Sequence, residues 1–122
     1  MIIAFDFDGT ITKHNTYPTC EQLREGIVNC IRQLYIEGHY IIIFTCRDTG
    51  TQEQLDAYNN MVNYLRDNKI PYNVINKNVK PAFNFNPVKP YWNILIDDSA
   101  LGFNDEWTGE DIYKLIKEKL NI

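Results

Sequence analysis

The chain has 122 residues, 44% of them apolar, and a net charge of −4. That length reads as one domain, residues 1–122, with apolar content enough for a single buried core. The acidic balance argues against sequence-independent nucleic-acid binding, which needs a basic footprint. Three cysteines without CxxC spacing give neither a disulfide framework nor a zinc pattern, so the reading is cytoplasmic.

The start, Met1 to Gly9, is not a signal peptide, because it lacks a basic region and aspartates interrupt its apolar run. No apolar stretch approaches the ~18 residues of a membrane span. Ile2 to Phe5 reads as a strand buried on both faces. A polar loop follows to Pro18. Thr19 then reads as the N-cap of a first helix, with Gln22 in the capping-box position and an apolar stripe of Leu23, Ile27, Ile31 and Leu34. Gly38 stops that helix, and Tyr40 to Thr45 is a second buried strand. Thr51 and Gln54 form another capping-box pattern, opening a helix with Leu55, Tyr58, Val62 and Leu65 on one face.

Tyr72 to Ile75 reads as a short third strand, residues 76–90 as irregular, and Trp92 to Ile96 as a fourth strand. Thr108 and Asp111 cap a last helix carrying Ile112, Leu115, Ile116 and Leu120. The order βαβαββα implies a Rossmann-like three-layer α/β sandwich: a mainly parallel sheet with helices on both faces. Ligands bind such sheets beyond the carboxyl ends of the strands. Three polar strand exits fall there: Asp6 and Asp8, then Thr45, then Asp97 and Asp98.

Two carboxylates two residues apart at the end of a buried strand need compensation. A divalent cation and a phosphate would supply it. Mg²⁺ takes oxygen ligands, and two or three carboxylates plus a phosphate suit it. Asp6 could act as nucleophile through an aspartyl phosphate, and Asp8, on the same side of an extended chain, as acid and then base. Gly9 allows a sharp turn beside the phosphate and Thr10 adds a hydroxyl. Thr45 and the following amides, of Cys46 and Arg47, would hold phosphoryl oxygens, with a lysine neutralising charge. Asp97 and Asp98 would complete the metal site from across the sheet.

Together these pieces resemble the haloacid-dehalogenase-like hydrolase superfamily. Its DxDGT motif matches Asp6-Phe7-Asp8-Gly9-Thr10, its strand ending in Thr or Ser matches Ile41 to Thr45, and its strand ending in DD matches Ile94 to Asp98. Its lysine motif is short, and Lys77, Lys80 and Lys89 compete for it; Lys89-Pro90, shortly before Ile96-Asp97-Asp98, looks most like the pattern in small members. The resemblance implies Mg²⁺ dependence, Asp6 as nucleophile and Asp8 as acid/base. It also implies a metal held by the Asp6 side chain, the Asp8 carbonyl and Asp97, with Asp98 a further ligand. Thr45-Cys46-Arg47 is similar to a TxR variant in small members, some associated with polysaccharide synthesis, which would turn Arg47 toward the substrate.

The intervals between these motifs hold single helices, strands and loops, so the chain reads as having no cap domain. Capless relatives act on large substrates or borrow a neighbouring subunit as a lid, so a homo-oligomer is one expected arrangement. Residues 11–18 and 76–90 are the loops long enough to cover the site. The expected activity is a Mg²⁺-dependent phosphomonoester hydrolase acting on a phosphorylated substrate, small or large. The alternatives on the same fold are a phospho-accepting regulatory module and a non-catalytic phosphate-binding module.

Overall fold

The structure is a computed structural model that describes residues 1–79 and 90–122. Four strands form one sheet: β1 (Ile2–Asp6), β2 (Tyr40–Phe44), β3 (Val74–Ile75) and β4 (Ile94–Ile96). Among the described residues three helices accompany them: α1 (Ile27–Ile36), α2 (Gln52–Asp67) and α3 (Gly109–Leu120). The strand order is β3-β2-β1-β4 and every pairing is parallel. The Rossmann-like α/β expectation therefore holds, in its all-parallel form. β1 lies between two partners and is apolar from Ile2 to Phe5, with all four residues buried.

Side chains alternate across a strand, so each face can be read separately. Ile3 and Phe5 of β1 join Ile41 and Ile43 of β2 in one core, into which all three helices also pack: Ile27, Cys30, Ile31 and Leu34 from α1, Met61 and Leu65 from α2, Ile112 and Ile116 from α3. Ile2, Ala4 and Ile42 face the other way, against Val79 with Phe44, Val74, Trp92 and Leu95. Among the described residues the helices thus lie on one face. On the second face, where a second helical layer is expected from the sequence, the described residues that pack from outside the sheet are Val79 and Trp92.

Asparagines extend the short outer strands. Asn73 and Asn93 each pair backbone and side chain with the sheet: Asn73 with Ile41, Asn93 with Ile2. These side-chain carbonyls take the place of ladder acceptors, and β3 and β4 begin later than their apolar sequence suggests, at Val74 and Ile94.

The first helix is the main departure. It starts at Ile27, after Gly26 in the left-handed region at φ 76°, and not after Thr19. Residues 22–24 pair instead with residues 11–13. Thr12 bridges Leu23 in antiparallel fashion, Lys13 donates its amide to Gln22 at 2.8 Å, and Arg24 donates its amide to Ile11 at 2.9 Å. Thr19 turns back on Thr16, and Tyr17–Pro18 is cis. Long-range pairing here wins over a local capping signal worth ~1 kcal/mol. Cys20 is consequently on this loop and half-buried, while Cys30 is buried on α1.

The other two helices begin where the sequence places them. Thr51 caps α2 by accepting from the Gln54 amide, and Thr108 and Asp111 form a reciprocal capping box on α3. The buried line on α2 is Ala57, Met61 and Leu65; of the expected face Leu65 is buried, while Leu55, Tyr58 and Val62 are half-buried. On α3, Ile112 and Ile116 are buried and Leu115 is exposed.

Helices α1 and α3 approach at two glycines. A Cβ on Gly109 would lie 2.1 Å from the carbonyl of Gly26, backbone against backbone. Across the other end, Glu37 receives Lys117 at 2.8 Å and the Tyr113 hydroxyl at 2.5 Å. Gly109→Ala should therefore cost about 1–3 kcal/mol of stability, as overpacking does, measured by urea unfolding. A variant as stable as the native chain would mean that the two helices are not in backbone contact.

Candidate functional site

The register of β1 with its neighbours sets the geometry. Asp6 pairs with Phe44, so Thr45 lies one residue beyond it; Phe5 pairs with Ile96, so Asp97 is level with Asp6. After Asp6 the chain does not stay extended. Residues 7–11 fold into a tight turn with Gly9 at φ 84°. The two motif-one carboxylates take different partners, Asp6 the Thr10 hydroxyl and Asp8 the Arg47 guanidinium.

Asp6 turns toward β4. Oxygens of Asp6, Asp97 and Asp98 all lie within 4.8 Å of one another. The buried Thr10 hydroxyl ties them together: it donates to Asp6 Oδ2 at 3.1 Å and accepts from the Asp98 amide at 2.9 Å. Asp97 is oriented by Ser99, whose amide and hydroxyl both donate to Oδ1, at 2.9 and 2.8 Å. Gly9 is favoured by its positive φ, and a Cβ there would sit 2.3 Å from Asp98 Oδ2, so the Asp98 side chain would have to shift.

The three carboxylates strain one another. Burial, then contact with the Asp98 carboxyl, then the charges of Asp97 and Asp98 push Asp6 up to about 8. An all-oxygen, all-anionic donor set of this span fits a hard divalent cation. The cluster could hold such an ion, and Asp8's side chain stands outside it.

Asp8 is paired with Arg47. The guanidinium donates to both carboxylate oxygens, Nη2 to Oδ1 at 2.8 Å and Nε to Oδ2 at 3.0 Å. Its remaining donors reach the carbonyls of Pro18, Ala57 and Thr19. It is fully buried, between the rings of Phe7 and Tyr17 at 5.1 and 5.3 Å. Every N–H of this side chain has a protein acceptor. Arg47 therefore does not face a substrate, contrary to the sequence expectation, and Thr10's hydroxyl is likewise occupied inside the site.

Thr45 is half-buried beside this pair. Its amide and carbonyl are held by the Asn76 side chain at 2.8 and 2.9 Å, and its hydroxyl oxygen accepts from the Arg47 amide at 3.1 Å. The hydroxyl proton is left to donate outward among the described residues. Cys46 is exposed next to it. Lys89 and Lys80 lie outside the described residues. Lys77 is exposed and lines a cleft of about 300 Å³ with Tyr58 and Tyr72 at the β3 edge.

Two residues that matter were not legible. Arg24, buried, donates to the carbonyls of Gly9 and Thr10 and to those of Asp105 and Trp107, fixing the 7–11 turn to the segment before α3. In sequence it falls inside the expected first helix, off its apolar stripe. Asn76, at φ 54°, holds Thr45. An asparagine directly after an apolar run is the one signal that could have marked it.

No protein-family model matches the chain, and no curated protein does. Among solved structures, a conserved protein from Bacteroides thetaiotaomicron superposes with a TM-score of 0.79 and is 28% identical, covering 98% of this chain and 91% of that one. The fold and the site thus define a small Rossmann-like parallel α/β protein with an acidic cluster at its strand ends. No helix among the described residues is long and apolar enough to cross a membrane.

A pH dependence follows. Asp6's contribution to metal-free stability is complete below its ordinary value of 3.8 and is lost as pH rises through about 8. Added Mg²⁺ should therefore raise the melting temperature more at about pH 8 than at about pH 5. Asp98→Asn should stabilise the metal-free chain at the higher pH and shrink the Mg²⁺ effect. Equal Mg²⁺ shifts in native chain and variant, at both pH values, would remove the metal from this cluster.

Proposed function

We propose that this chain is a Mg²⁺-dependent phosphomonoester hydrolase of the haloacid-dehalogenase-like kind, working through an aspartyl phosphate on Asp6. The observation that carries the reading is the convergence of Asp6, Asp97 and Asp98 within 4.8 Å, with Asp8 in the turn after β1 and Thr45 at the exit of the adjoining β2. Asp6, Asp97 and Asp98 would hold the ion by their side chains, and the Asp8 carbonyl would add a ligand. The cation, when bound, supplies charge neutralisation of Asp6 and of the incoming phosphate.

The chain's own residues then divide the work. An Asp6 oxygen attacks phosphorus, and the bond from phosphorus to the leaving oxygen breaks as Asp8 gives that oxygen a proton. Water next attacks the phosphorus of phospho-Asp6, passing a proton to Asp8; the P–O bond to Asp6 breaks and inorganic phosphate leaves. The net change is ester plus water to alcohol plus phosphate. Thr45's hydroxyl and the amides after it, including that of Cys46, are placed to donate to phosphoryl oxygens. Lys89 is the proposed source of the positive charge.

Without a cap domain, the site suits a large phosphorylated substrate or a lid from a second copy of the chain. A cytoplasmic setting fits three unpaired cysteines.

The test is phosphate release from para-nitrophenyl phosphate. Native chain with Mg²⁺ should turn over, EDTA should abolish the rate, and Asp6→Asn should lose it by roughly 10³-fold or more while keeping its fold. An Asp6→Asn chain with near-native turnover would sink the nucleophile assignment.

A further inference from the structure

A fully buried guanidinium beside a candidate acid/base group is an unusual expense of charge, and its geometry has a specific consequence. Asp8 lies within the tight turn of residues 7–11, just before the left-handed Gly9, and backbone geometry alone leaves its side chain several rotamers. Arg47 removes that freedom with two parallel hydrogen bonds, at 2.8 and 3.0 Å. The guanidinium is itself held by three carbonyls and two rings, so it cannot follow a moving ligand. Two of those carbonyls, Pro18 and Thr19, belong to the loop of residues 11–24 beside the site, and the third, Ala57, to α2.

We propose that Arg47 is a positioning residue for Asp8: it aims the Asp8 carboxylate, takes its own place from the 11–24 loop and α2, and does not bind phosphate. This rests on the phosphatase reading, since it gives Arg47 a role in presenting the proposed acid/base group. A lysine at position 47 would keep the charge but replace a rigid fork by a single ammonium, which cannot make the paired contact.

The experiment compares native chain, Arg47→Lys, Asp8→Asn and the double variant on para-nitrophenyl phosphate with Mg²⁺, each checked for folding by thermal melting. Arg47→Lys should lose kcat by roughly 10²-fold or more, the scale of acid–base catalysis. KM and the inhibition constant of inorganic phosphate should stay within about twofold, as expected when ground-state binding is untouched. The double variant should be no slower than Asp8→Asn, because both substitutions remove one function. A loss that falls on KM and on phosphate inhibition would make Arg47 a phosphate ligand and overturn the proposal. So would losses that multiply in the double variant.

A second measurement uses the native chain alone and does not depend on a variant folding. In crystals grown with Mg²⁺ and tungstate, Arg47 should remain paired with Asp8. A guanidinium hydrogen-bonded to the tungstate overturns the assignment. A native chain that releases no phosphate, with or without EDTA, overturns the phosphatase reading itself, and does so before any variant is compared.

Discussion

The buried pair of Asp8 and Arg47 is the constraint around which the site is built. Taking a guanidinium out of water is tolerable only when its donors are satisfied and its charge is met. Here five N–H groups find acceptors on Asp8, Pro18, Thr19 and Ala57. Meeting that demand brings together the turn after β1, the loop before α1, the exit of β2 and the middle of α2. Arg24 makes the same kind of demand on the other side, drawing the carbonyls of Gly9 and Thr10 toward residues 105–107. Two satisfied cations thus fix a turn that has little apolar packing of its own beyond Phe7 and Ile11.

The neighbouring cluster obeys the opposite logic. Asp6, Asp97 and Asp98 are brought together by strand register, and no arginine or lysine among the described residues forms an ion pair with any of them. Negative charge is concentrated where the fold could have avoided it, and Gly9 gives up a side chain to let Asp98 in. Compensated charge on one side of the turn and uncompensated charge on the other is a division of labour. Asp8 is fixed by the protein, and the cluster could hold a metal ion.

Local signals and long-range ones fared differently in the sequence. Strand runs such as Ile41 to Ile43 are legible because burial on both faces demands uninterrupted apolar residues. The acidic exits are legible because charge at the end of such a run is conspicuous. Thr108 and Asp111 are legible because a capping box is made within four residues. The start of α1 is not, because Thr19 and Gln22 carry a local helix signal that the pairing of residues 11–13 with 22–24 overrides. Arg24 and Arg47 are not, because a buried arginine looks like a surface one until its acceptors, most of them backbone carbonyls, are placed in space. Residues 76–90 are legible only as a proline- and asparagine-rich stretch without periodicity.

The most direct test of the account is ¹⁹F NMR of the native chain with fluoroberyllate, a mimic of a phosphoryl group on a carboxylate. The account predicts a bound fluoroberyllate signal that requires Mg²⁺ and disappears in Asp6→Asn. A bound signal that survives that substitution, or that forms as well in EDTA, would contradict it.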